Sequence, residues 1–141
     1  MTGSGLDATI PQMANLPVRV LLVEDDRIFA ELLTKQFKHR DAEVIHAATG
    51  KQALDYLKSD GKFDVMLLDL SLPDIDGFSV LESMQNVPTQ KLIPVVVISN
   101  FAQEKDIEWG QKLGVKQFVK KVSVMPIEIV DIAFQYCPNA K

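Results

Sequence analysis

Asp69 closes the apolar run Asp64-Val65-Met66-Leu67-Leu68-Asp69, and Leu72-Pro73-Asp74-Ile75-Asp76-Gly77 follows it. A carboxylate is thereby carried by a buried strand straight into an exposed turn. Val18 to Val23 is a second such run and ends in Glu24-Asp25-Asp26; Val95-Val96-Val97-Ile98 ends in Ser99-Asn100. Two carboxylates about 4 Å apart repel by roughly 4 kcal/mol at an effective dielectric of 20, so Glu24, Asp25 and Asp69 brought together demand a cation. Oxygen ligands without sulfur or a well-placed histidine select a hard ion, Mg²⁺ or Mn²⁺. A carboxylate is also a nucleophile toward phosphorus, which makes Asp69 a candidate for an aspartyl phosphate. The cation and Lys121 would stabilise charge on the equatorial oxygens, and the Ser99 hydroxyl would bond one of them.

Those residues converge only if several strands end along one edge, and the sequence pattern supplies this. Strands are expected at 18–23, 43–47, 64–69, 94–99 and 116–120, and helices at about 26–38, 50–59, 77–86, 103–113 and 126–137. Strands 1, 3 and 4 are continuously apolar, as strands buried on both faces of a parallel sheet must be. In such an open α/β sheet, ligands bind at the carboxyl ends of the strands where the strand order reverses. Ile28, Phe29, Leu32, Leu33 and Phe37 form an apolar stripe expected to dock the first helix on the sheet. In the fourth helix, Trp109 lies off the stripe of Ile107, Gly110 and Leu113 and is expected to be partly exposed.

The chain has 141 residues, 47% of them hydrophobic, which suits one domain with its own core. Residues 1–16 read as a disordered N-terminal tail and 17–141 as the domain. The net charge of −4 gives no electrostatic reason to expect nucleic acid. No apolar run approaches the roughly 18 residues of a membrane span, and there is no signal-peptide pattern, so a cytoplasmic location is expected. The single cysteine, Cys137, cannot form an internal disulfide and reads as a packed thiol.

Over about residues 17 to 137 the chain resembles the receiver (CheY-like) domain of two-component response regulators. Glu24-Asp25-Asp26 resembles that family's acidic pair, and Leu68-Asp69-Leu70-Ser71-Leu72-Pro73-Asp74-Ile75-Asp76-Gly77 its phosphorylation strand and loop. Ile98-Ser99-Asn100 resembles its hydroxyl position, and Gly114 to Lys121 the strand carrying its switch aromatic and lysine. The resemblance implies a doubly wound, flavodoxin-like, five-stranded parallel sheet of order 2-1-3-4-5 with five helices. It also implies that Asp69 is the phosphoacceptor, and that Asp25 and Asp69 are direct metal ligands. Glu24 would be a ligand mainly through water and Ser71 one through its backbone carbonyl. Lys121, rather than Lys120, would be the lysine, with Ser99 and Phe118 the switch pair. The implied partners are a sensor histidine kinase or histidine phosphotransfer protein and a downstream target, or a second copy, on the face of helix 103–113, strand 116–120 and helix 126–137. Trp109 would lie on that face. The domain would signal rather than turn over an external substrate.

The chain departs from the family pattern in three places. Val122 stands where many relatives have proline after the lysine, so a trans peptide is expected there, a cis bond to a non-proline residue costing about 3 kcal/mol. Asn100 replaces a small residue, and Phe101 beside it is positioned to shield an aspartyl phosphate. Other residues have plainer readings. Asp26 reads first as a helix cap, Asp76-Gly77 as turn chemistry, and His39 and His46 as surface or packing residues at the far end of the sheet. The competing functions are a phosphorylation-independent interaction module and an Mg²⁺-dependent Asp-nucleophile phosphatase. The latter's family carries Asp-x-Asp where this chain has Ser71 in the second position.

Overall fold

The structure is a computed structural model in which residues 16–59 and 61–138 are described. All of the expected tail except Leu16 lies outside them. Five strands, β1 (Arg19–Val23), β2 (Glu43–Ala47), β3 (Val65–Leu68), β4 (Val95–Ile98) and β5 (Gln117–Val119), form one parallel sheet ordered β2-β1-β3-β4-β5. Six α-helices accompany them among the described residues: α1 (Arg27–Lys38), α2 (Gly50–Ser59), α3 (Gly77–Gln85), α4 (Pro88–Lys91), α5 (Glu104–Lys112) and α6 (Pro126–Tyr136). The expected count of five misses α4, a single turn opened by Pro88, whose missing N–H is harmless at a first helical position. A 3₁₀ turn, Lys121–Ser123, leads from β5 toward α6.

The apolar strands feed two cores. Val20 and Leu22 of β1 face one side with α1 and α6; Leu21 and Val23 face the other with α2 and α3. Alternate residues of one strand point to opposite faces, so each continuous apolar run packs two layers at once. β3 and β4 are buried at every position.

The first helix is a partial correction. Its buried residues are Ala30, Leu33 and Phe37, at a spacing that follows the helical turn, whereas Ile28 and Leu32 point outward, Ile28 being 73% exposed. The expected stripe was too wide by one row. Asp26 caps this helix, accepting the Phe29 N–H at 3.2 Å, and Asp76 caps α3 in the same way through Phe78 at 2.8 Å.

Cys137 is buried in the α1–α6 core, its Sγ 3.3 Å from the Ala133 carbonyl oxygen. Burial, with a contribution from the Asp64 charge, pushes its thiol up to about 12. Because the thiolate is the reactive form, iodoacetamide at pH 8 is expected to leave the native protein unlabelled and to label it once urea unfolds it. Labelling of the native protein at the unfolded rate would contradict this packing.

Candidate functional site

Each strand-end residue of the site stays tied to the sheet through its own backbone. The Glu24 N–H donates to the Ala47 carbonyl at 3.0 Å, the Asp69 N–H to that of Val23 at 3.0 Å, and the Ser99 N–H to that of Val119 at 2.9 Å. The ladder therefore runs one residue past the assigned strands, and the first polar side chain at each end inherits the rigidity of the sheet. Glu24, Asp69 and Ser99 are also almost fully buried, a placement polar groups adopt only with partners or a ligand.

Asp69 is held at both oxygens. Oδ1 accepts the Ser71 N–H at 2.9 Å, and Oδ2 accepts from Lys121 Nζ at 2.8 Å. Gly77 allows the turn that follows, since a Cβ there would lie 2.7 Å from Leu70 Cα and 2.9 Å from the Asp69 carbonyl oxygen. Asp74, in the same turn, accepts the N–H groups of Gly50 at 2.8 Å and Lys51 at 2.9 Å, which ties the loop after Asp69 to the start of α2.

Lys121 also approaches Glu24 Oε1 to 2.6 Å. This is a close ion pair, and the ammonium is all that faces that buried oxygen. Oε2 accepts the Asp26 N–H at 3.0 Å. Burial raises the Glu24 carboxyl to about 7, although Lys121 and the Asp26 N–H both pull it down. For Lys121, burial opposes the charge, but the hydrogen bond to Asp69 and the pairing with Glu24 outweigh it and raise its pKa.

Glu24, Asp25 and Asp69 bring one carboxylate oxygen each within 4.8 Å of one another, with Asp25 exposed at the mouth. Three carboxylate oxygens, two of them on buried side chains, are hard donors that fit a divalent cation of the Mg²⁺ class. The Lys121 ammonium already sits between two of these acids, which marks the spot as one that takes positive charge. Lys120 is exposed, whereas Lys121 turns toward the acids.

Ser99 Oγ accepts the Phe101 N–H at 3.3 Å, which leaves its own O–H free to donate. A cavity of about 230 Å³ lies beside it, lined in part by Ile107, Phe118 and Val119. Phe118 is half-buried and rests on α5 at Gly110, where a Cβ would come within 2.8 Å of Phe118 Cε1. Glycine costs about 1 kcal/mol relative to alanine inside a helix, and here Gly110 is the seat of this ring. Trp109 is 43% exposed on the same helix, as its angular position implied.

Two residues differ from expectation. His46 is paired with Leu22 near the carboxyl end of β2, and its Nε2 lies 2.6 Å from the Glu24 carbonyl oxygen, to which it donates. It belongs beside the site, not at the far end of the sheet. Phe29, read as pure core, is half-buried with its ring centroid 5.1 Å from Lys121 Nζ, a cation–π contact that steadies the ammonium. Phe101 is 79% exposed. Among the described residues no peptide is cis, and Val122 donates its N–H to Asn100 Oδ1 at 3.0 Å.

Comparison with known proteins agrees with this geometry. Response regulator SaeR of Staphylococcus epidermidis is 28% identical over 102 residues, which is 72% of this chain and 43% of SaeR. The chain thus spans less than half the length of that relative. The crystal structure of the phosphorylated cyanobacterial phytochrome response regulator RcpA is 29% identical, with a TM-score of 0.79 over 89% of this chain and 98% of that one. The Mn²⁺-bound form of response regulator Rcp1 is also 29% identical, with a TM-score of 0.77 over the same shares of the two chains. The profile of the response regulator receiver domain matches residues 20–132, and with that match over most of its length the chain belongs to the response regulator receiver domain family.

Proposed function

We propose that this domain is a cytoplasmic phosphoacceptor in which Asp69 takes a phosphoryl group from the phosphohistidine of a sensor histidine kinase or histidine phosphotransfer protein. The observation that carries this reading is the Asp69 carboxylate, fixed at one oxygen by the Ser71 N–H and at the other by Lys121. In the transfer, an Asp69 oxygen forms a P–O bond as the P–N bond to the donor imidazole breaks, its electron pair returning to the ring nitrogen. A divalent cation held by Glu24, Asp25, Asp69 and the Ser71 carbonyl would neutralise the acids and bind an oxygen of the transferring group. Lys121 would follow the developing charge onto another oxygen, and the free Ser99 O–H would donate to a third. Support comes also from the two relatives at 29% identity, one phosphorylated and one Mn²⁺-bound.

Movement of Ser99 toward an aspartyl phosphate would open further the cavity it shares with Phe118 and let that ring turn inward. The face of α5, β5 and α6, with Trp109 exposed on it, would then change shape for a downstream protein or a second copy. The test is the intact mass of the protein after incubation with acetyl phosphate. One phosphoryl group, acquired with Mg²⁺ and not with a chelator present, is the expected result; an unmodified mass under both conditions would overturn the reading.

A further inference from the structure

Lys121 works from a short exposed turn rather than from the sheet, and something must fix its reach. Before it, Val119 is held in the ladder, its carbonyl accepting from the Ser99 N–H at 2.9 Å. Lys121 itself opens the 3₁₀ turn Lys121–Ser123, whose start carries no side-chain cap of its own. The first N–H groups of such a turn have no partner within it. One of them, on Val122, is satisfied from another element by Asn100 Oδ1 at 3.0 Å. Lys121 is therefore clamped on both sides, by Val119 and by Val122, and both clamps lead to the same short segment, Ser99-Asn100. Proline at 122 would have no N–H to give, and alanine at 100 no acceptor, so the bond needs both residues.

We propose that Asn100 is a positioning residue for Lys121: by accepting the Val122 N–H it locks the lysine turn to the strand end that carries Ser99. Ammonium and hydroxyl then approach a phosphoryl group on Asp69 as one unit. The inference rests on the phosphoacceptor reading above. The bond is exposed and competes with water, so it adds little to global stability; what it supplies is the alignment of two groups on one reacting centre.

The test uses the full chain with acetyl phosphate and Mg²⁺, comparing Asn100→Ala, Val122→Pro and the double variant with wild type. At saturating donor, each single variant is expected to take up phosphate about fivefold more slowly, and the double variant no more slowly than either single one. Hydrogen exchange at the Val122 amide is expected to be faster in Asn100→Ala than in wild type, a readout that holds even if Val122→Pro does not fold. Losses that multiply in the double variant, an uptake rate within twofold of wild type in Asn100→Ala, or unchanged exchange at Val122 would each overturn the proposal. A wild-type protein that takes no phosphoryl group would instead overturn the phosphoacceptor reading, and this inference with it.

Discussion

Asp69→Asn is expected to abolish the phosphoryl adduct formed with acetyl phosphate and Mg²⁺ while leaving the fold intact. The amide is nearly the same shape as the carboxylate, so its oxygen can still accept the Ser71 N–H that now bonds Oδ1 at 2.9 Å. It lacks the charge and the nucleophilicity that attack on phosphorus requires. Lys121 loses one of its two acidic partners but keeps Glu24 at 2.6 Å. The Asp69 charge pushes the Glu24 carboxyl up, so its removal lets Glu24 ionise more readily and pair with Lys121 more fully. These changes oppose one another, and the stability of the variant is expected to stay within about 1 kcal/mol of wild type by urea unfolding. An adduct on the variant at the wild-type level would show that the acceptor lies elsewhere.

Much of the frame was legible in sequence because the physics that sets it is local and periodic. The apolar runs ending at Val23, Leu68 and Ile98 state both a buried parallel strand and the place where it stops. Once those strands are parallel neighbours, Glu24, Asp69 and Ser99 must meet along one edge. What escaped was the set by which one element meets another. Ile28 and Leu32 share the helical period of Leu33 and Phe37, yet what the helix meets, the sheet and α6, decides which rows are covered. His46 was misplaced because its strand was taken from its loop side; the register Leu22↔His46 puts it at the opposite end. The Val122–Asn100 bond joins two departures from the family pattern that look unrelated in sequence, because they lie on the ends of two adjacent strands. Asp74 likewise has no legible role in sequence, because its partners at Gly50 and Lys51 belong to another element.

Lys121→Met is expected to cost stability in a way that depends steeply on pH. The substitution keeps much of the apolar stem but removes the charge compensating Glu24, which is fully buried, and Asp69, which is 5% exposed. Removing one partner of a buried ion pair typically costs 3–5 kcal/mol, because the other charge stays behind. Glu24 has an escape, since it can take a proton. Its folded-state pKa, about 7, lies above its ordinary value of 4.5, so its ionised form weakens the fold progressively as pH rises through that window. Lys121 pulls this pKa down, and without it the window extends upward. Lys121 has the complementary sign: its raised pKa contributes stability that is fully present below 10.5 and is lost only as pH rises through the higher folded value. At pH 5, where Glu24 is protonated, Lys121→Met is therefore expected to cost about 1 kcal/mol, and at pH 8 about 3 kcal/mol, by urea unfolding in a chelator. Saturating Mg²⁺ is expected to restore part of the loss at pH 8 and little at pH 5, because only the ionised acids hold the ion. Equal costs at the two pH values would mean that Lys121 serves the fold by packing rather than by charge.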